Sequence, residues 1–254
     1  MKRSADAKAG SVVVELYTSE GCSSCPPADD VLGELAKTEA ARDGSLVLLA
    51  FHVDYWDKLG WPDRFAKAAF TSRQRASAAL LEGGRTYTPN MVVGGVESFV
   101  GSERQRAERT ISAAKSAGAS KEKFGAAEEL RALSFRVDRA GKAGELSLDV
   151  LTPGAGGGEF LNVAVVESGL ESKVTAGENA GATLKHERVV RVFESRSGAG
   201  HARVRLTLPK DLVEANVRLV VYRQDAKTRR VLAVATMALP TAGGGTAGGK
   251  GTTK

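Results

Sequence analysis

Cys22 and Cys25 are the only cysteines of the chain, and they sit in Thr18-Ser19-Glu20-Gly21-Cys22-Ser23-Ser24-Cys25-Pro26-Pro27. An apolar run, Ser11 to Tyr17, precedes them, and a helical pattern starting near Pro26 follows. A Cys-x-x-Cys between a strand and a helix suits redox chemistry, because backbone N–H groups and the helix dipole stabilise a thiolate there. Cys22, at the exposed mouth of the helix, is then the nucleophile that attacks a partner disulfide. Cys25, one turn further in, resolves the mixed disulfide. Ser23 and Ser24 offer N–H and hydroxyl donors to the thiolate. Two other readings use the same residues. Soft thiolates select copper(I), with His52 nearby, which would make the chain a metal-binding or delivery protein. A Cys22–Cys25 disulfide would also serve simply to lock a loop in a binding protein.

Other residues fall where they would serve a redox pair. Thr88-Pro89 precedes a short strand, the place where a cis-proline turns the backbone toward a bound substrate. Thr88 would offer its N–H and C=O to a peptide that adds like a strand. Glu15 is a carboxylate in an apolar strand; buried near Cys25, it would take that thiol's proton, unless alternation points it to solvent or a salt bridge. His52, Asp54, Tyr55, Trp56, Asp57 and Trp61 follow the second strand. Loops at strand C-terminal ends gather on one side of a parallel sheet. Trp56 and Trp61 would wall the groove there, and His52 would tune the thiols, or both would belong to the core. Arg73-Gln74-Arg75 reads as a solvated helix face and His186 as structural, while His201 sits in a glycine-flanked loop and points to no role. Gly177-Glu178-Asn179-Ala180-Gly181 reads as a turn held by Asn and Gly backbone geometry.

Elements that would position these residues are visible in the pattern. Val12–Tyr17 and Leu46–Val53 read as buried strands, and Pro27–Thr38 and Asp63–Leu81 as helices. Asn90–Val93 and Val96–Val100 flank Gly94-Gly95 as a hairpin. Ser102 caps a helix that ends near Gly118. This β-α-β-α-β-β-α order is that of thioredoxin, which gives an α/β thioredoxin-like domain over residues 11–120. Beyond the Ala/Glu/Lys-rich stretch Lys121–Glu129, residues 130–240 switch to period-two alternation. Some seven short strands in about 110 residues predict a mainly antiparallel, β-sandwich-like domain. Residues 1–10 and the Gly/Thr/Lys-rich tail 241–254 are expected to be disordered.

Composition narrows the function class. Net charge is +6 with 26% charged residues. The basic residues are mixed with acids and form no block, which argues against nucleic-acid binding. No run approaches the roughly 18 apolar residues of a membrane span. Met1–Gly10 has no apolar h-region, so no secretory signal is expected in this sequence. Redox chemistry at the pair needs no organic cofactor or metal; the partners would be protein or small-molecule thiols and disulfides.

The string Val14-Glu15-Leu16-Tyr17-Thr18-Ser19-Glu20-Gly21-Cys22-Ser23-Ser24-Cys25-Pro26-Pro27-Ala28-Asp29 resembles the opening motif of the bacterial family known as domain of unknown function 1223. The likeness extends through Phe51–Asp57, Leu59–Asp63, Phe70–Arg75 and Tyr87–Val93. In the second half Gly177-Glu178-Asn179, Leu184-Lys185-His186 and Val189-Val190-Arg191 are also similar. The resemblance implies a thioredoxin-like domain followed by a β-rich domain, usually exported to the periplasm or beyond. It implies no particular substrate or reaction.

Overall fold

The computed structural model describes residues 3–119, 132–139, 144–154, 156–198 and 200–240. The stretch Lys121–Glu129 and the tail 241–254 lie outside them. In chain order the elements begin with β1 (Arg3–Asp6), β2 (Val12–Thr18), α1 (Pro26–Ala36), α2 (Glu39–Arg42) and β3 (Leu46–His52). A 3-10 turn over Asp54–Leu59 leads to α3 (Ala68–Leu81), β4 (Asn90–Val93), β5 (Glu97–Val100) and α4 (Arg104–Ala119). The second half is strands: β6 (Ser134–Asp138), β7 (Glu145–Thr152), β8 (Glu159–Glu167), β9 (Leu170–Lys173) and β10 (Thr183–His186). β11 (Val189–Ser197), β12 (Gly200–Thr207), β13 (Val217–Asp225) and β14 (Val231–Ala238) complete it.

The architecture is β-rich. β2 and β3 are buried along their whole length and pair in parallel, as continuous apolar runs should. β4 joins β2 antiparallel, and β5 joins β4 across the Gly94-Gly95 turn. The second half does not pair only with itself. β11 lies beside β3, so one mixed eight-stranded sheet runs β14-β13-β8-β11-β3-β2-β4-β5 through both halves. The seam is short: Val189 is the one residue of β11 in register with β3, opposite Ala50, and the Ala50 N–H donates to the Arg188 carbonyl at 2.8 Å. A four-stranded sheet, β1-β6-β7-β12, packs on the β8/β13/β14 part through a shared core that includes Phe135, Leu148, Val163, Val204 and Val221. The two layers there enclose one core.

Two expectations need correction. Residues 3–6 are not disordered: they form edge strand β1, paired antiparallel with β6 from Arg3↔Val137 to Asp6↔Ser134, and Ala5 and Ala7 pack on the adjacent core. The helix expected from Asp63 begins at Ala68. The Asp63 carboxylate takes the Phe65 N–H at 2.9 Å, and the Lys67 N–H goes to the His52 carbonyl at 3.2 Å. Local side-chain bonds of this kind compete with a helix.

The large sheet has two differently covered faces. Val12, Val14, Leu16, Leu48 and Ala50 pack under α1, α2 and α4. Val13, Tyr17, Leu49 and Phe51 face the other way, against Phe70 of α3 and Val220, Tyr222 and Val234 of the second half. The sheet curls enough for Val231, at the start of β14, to donate its N–H to the Gly94 carbonyl at 2.8 Å. Gly95 has φ of 75°, and a Cβ there would lie 1.9 Å from the Arg229 carbonyl oxygen, so only glycine fits this closure.

Arg73 of α3 is not solvated as the sequence suggests. Its side chain is 8% exposed and its Nη2 lies 2.6 Å from Glu15 Oε1. The Tyr17 and Tyr222 hydroxyls donate to the same carboxylate at 2.8 and 3.0 Å. This buried cluster joins β2, α3 and β13. Removing one partner strands a charge, which costs about 3–5 kcal/mol. Arg73→Ala is therefore expected to lose that much stability in urea denaturation, and a loss below about 1 kcal/mol would contradict a buried ion pair.

Candidate functional site

Pro26 and Pro27 open α1 with Cys25 as its N-cap. Proline suits these positions because its missing N–H is not needed there. The Cys25 N–H donates to the Cys22 carbonyl at 3.1 Å, closing a tight turn that sets the Cα atoms 5.4 Å apart. The two sulfurs are joined as a disulfide. Both cysteines are fully buried, whereas Ser23 and Ser24 are exposed. Cys22 therefore does not stand at an open mouth. Ser24 Oγ lies 3.3 Å from Cys22 Sγ, close enough to attend it.

The second half of the chain also reaches this turn. The loop joining β9 and β10 carries Gly177-Glu178-Asn179 onto the disulfide turn. Asn179 Nδ2 donates to the carbonyls of Glu20 and Cys22 at 2.8 and 3.0 Å. The Ser23 N–H donates to Glu178 Oε2 at 3.0 Å. Gly177, at φ of 75°, comes so close to Trp61 that a Cβ would lie 3.1 Å from that residue's own Cβ.

The two tryptophans separate into distinct roles. Trp56 backs the disulfide turn, since a Cβ on Gly21 would meet its Cβ at 3.1 Å. Its indole N–H donates to Thr88 Oγ1 at 2.8 Å, tying that turn to the Thr88–Pro89 loop. The Thr88–Pro89 bond is cis. Pro89 and Ala28 of α1 both crowd the same point beside Gly101, so this loop lies along the first turns of α1. Gln74 steadies it by donating to the Tyr87 carbonyl at 2.7 Å. Trp61 instead donates to Glu20 Oε2 at 2.7 Å.

Behind the disulfide turn lies a buried charged cluster. Asp63 Oδ2 accepts the Glu20 N–H at 2.9 Å and meets His52 Nδ1 at 2.6 Å. His186 Nε2 lies 3.2 Å from Glu20 Oε1, near enough to attract but not aligned as a hydrogen bond, and its ring stands edge-on to His52. Among the described residues, buried Thr18 Oγ1, Glu20 Oε1, His52 Nε2 and both His186 nitrogens have no hydrogen-bond partner. Burial alone would lower the His52 pKa, but the Asp63 charge and hydrogen bond raise it overall. Burial would raise Asp63, and His52 with two backbone amides lowers it overall. Asp29, on α1 one turn past Cys25, is pushed up to about 6 by burial, offset in part by His186 and His52.

Two expected roles fail on geometry. Glu15 is not brought to Cys25: it lies on the sheet face opposite α1, held by Arg73 and two tyrosines. Burial raises its pKa, but Arg73 outweighs that and lowers it, so it stays a carboxylate. His52 does not join Cys22 and Cys25 as a ligand set: the two sulfurs are bonded to each other, and the His52 ring is seated on Asp63. Among the described residues no group of three or more His, Cys, Asp or Glu side chains could hold a metal ion. Glu20, Asp29, Asp63, Glu178 and Asn179 receive no chemical role from the sequence, although all five lie in the strings that resemble the family. A carboxylate four residues past Cys25 is a further signal, since i and i+4 share a helix face.

The chain belongs to the family DUF1223, a family of proteins of unknown function, whose model matches residues 13–224. A crystal structure of a protein from Agrobacterium tumefaciens is similar at a TM-score of 0.59 and 24% identity, covering 92% of this chain and 97% of that one. This likeness concerns the fold alone. A search of curated proteins found no match. Among the described residues no helix is long and apolar enough to cross a membrane.

The His52–Asp63 pair has a definite pH window. A raised histidine contributes stability below its unfolded pKa, about 6.5, and loses it as pH rises through the folded value. A lowered aspartate contributes above about 3.9 and loses it as pH falls through its folded value. Melting temperature is thus expected to peak between these limits. Asp63→Asn should flatten both flanks, and a variant profile that parallels wild type would show that the pair does not set them.

Proposed function

We propose that this protein is a thiol–disulfide oxidoreductase of thioredoxin-like fold acting through Cys22 and Cys25. The observation that carries this reading is the disulfide at the first turn of α1, with the Thr88–Pro89 loop alongside and Trp56 linking the two. The β2-α1-β3 unit followed by the β4-β5 hairpin and α4 supports it. Substrates are protein or small-molecule disulfides. The Cys22 thiolate attacks one sulfur of the substrate disulfide, and the other substrate sulfur leaves as a thiolate. Cys25 then loses its proton and attacks Cys22, and the second substrate sulfur leaves. The protein's disulfide is restored, and two electrons have passed to the substrate. An external dithiol recharges the pair by the reverse steps. Asp29, unlike Glu15, lies on the Cys25 side of the sheet, and it is the candidate acceptor of that proton. The disulfide itself carries the electrons, so no organic cofactor is required. Export to an oxidising compartment, where such a pair persists, is part of the proposal.

Complete burial of both cysteines favours a second reading, in which the disulfide only locks the loop. The two separate in an insulin-reduction assay driven by dithiothreitol, together with the Cys22–Cys25 potential. The oxidoreductase reading expects acceleration that Cys22→Ser abolishes. A potential below about −300 mV with wild type as inert as the mutant means a structural bridge. In the active case, the pH profile of exchange should show an inflection near 6 that Asp29→Asn removes, while Glu15→Gln leaves it in place.

A further inference from the structure

We infer that Glu178 and Asn179 form a latch from the second half of the chain that keeps the Cys22–Cys25 disulfide closed to reductants and restrains the Cys22 thiolate. The latch gives the oxidoreductase reading a means of regulation, but it is read from contacts that hold whether or not the protein is an enzyme.

The geometry separates access from reactivity. Asn179 provides access control. Its single amide nitrogen bonds the carbonyls of Glu20 and Cys22, residues 159 and 157 positions away in sequence, and so pins the turn on either side of the buried sulfur. No other residue type of this size carries two such donors on one terminal nitrogen. Glu178 provides the second control. Its carboxylate occupies the Ser23 N–H, the amide that follows Cys22 and lies at the mouth of α1. A thiolate on Cys22 would depend on donors of this kind. While the latch is closed, one donor is taken and a negative charge sits beside the place where another must form. Glu178 is itself exposed and bonded to Ser23, with a pKa lowered chiefly by that N–H, so it is ionised at neutral pH. When the turn lifts, Cys22 becomes reachable and the Ser23 N–H is released in the same movement. The rest of the β9–β10 hairpin need not unfold, because its own ladder from Thr183↔Lys173 to His186↔Leu170 lies beyond the turn.

Reduction by dithiothreitol reads the latch directly. A thiolate of the reagent attacks Cys22 Sγ, the Cys22–Cys25 bond breaks, and Cys25 leaves as a thiolate that takes a proton. The reagent's second thiol then closes on its first sulfur and releases Cys22, so the reagent is oxidised to a cyclic disulfide and the pair is reduced. The full-length chain is mixed with dithiothreitol and quenched with iodoacetamide at intervals, and alkylated cysteines are counted by mass. Losing two hydrogen bonds should make Asn179→Ala react about tenfold faster or more than wild type. Glu178→Gln, on the surface, should keep the fold and lower the alkylation pKa of reduced Cys22 by about half a unit, the effect of one screened charge. Melting curves establish that each variant is folded; should Asn179→Ala fail to fold, Glu178→Gln decides alone. Wild-type reduction rates and an unmoved Cys22 pKa in folded variants would overturn the latch. Faster reduction without any insulin turnover would uphold the latch while removing the oxidoreductase reading.

Discussion

Glu20 is the residue on which the arrangement of the site depends. Its N–H is held by Asp63, its carbonyl by Asn179, and its carboxylate by Trp61 with His186 alongside. Its N–H, its carbonyl and one carboxylate oxygen are thus committed to residues far along the chain, while the other oxygen, Oε1, has His186 beside it without a hydrogen bond. A buried carboxylate is costly unless such partners surround it, and breaking one leaves the charge uncompensated. Its net pKa is lowered even though burial pushes the other way, the chief opposing influence being His186. The loop that enters the disulfide turn is consequently fixed before the cysteines are reached. The turn's geometry follows from that seat and from the prolines that start α1.

The sheet divides the molecule's electrostatics into two insulated groups. On one face, Glu20, Asp29, His52, Asp63 and His186 gather near the disulfide. On the other, Glu15, Tyr17, Arg73 and Tyr222 form a closed set with its own internal neutrality. Alternation along β2 decides the division: Thr18 shares the α1 face with Leu16, and Glu15 shares the other with Val13 and Tyr17. Arg73 also lies 4.7 Å from the Phe193 ring centroid, a contact that suits a guanidinium shielded from water. One set joins chain segments mechanically. The other contains polar atoms without hydrogen-bond partners and groups whose protonation responds to each other.

Local pattern made the disulfide turn, the α1 start, the β4–β5 hairpin and the strands of the first half legible in the sequence. Each depends on neighbours a few residues apart, the range over which period, proline and glycine carry information. The role assigned to Glu15 went wrong because a strand's alternation tells which residues share a face but not which face receives the helix. Arg73 read as solvated because a charge on a helix ordinarily is; its partner lies 58 positions away. Asn179 showed only as a turn residue, for the same reason of distance. The joining of both halves into one sheet was hidden as well. Period-two alternation announces strands without naming the edges they will meet, and the β3–β11 seam rests on very few residues.

The close approach of Gly95 to Arg229 has a consequence for how this molecule tolerates company. An open sheet ends in two rows of unpaired backbone donors and acceptors, which invite strands from other molecules. Here the curl brings the start of β14 against the β4–β5 turn, and the Val231 N–H is spent on Gly94. The outermost strand at one end is thereby partly occupied by the opposite end of the same sheet. Gly95 makes that self-engagement sterically feasible. A glycine that looks like a hairpin convenience thus also lets one end of the sheet satisfy a backbone donor at the other, leaving one fewer open to a strand from another molecule.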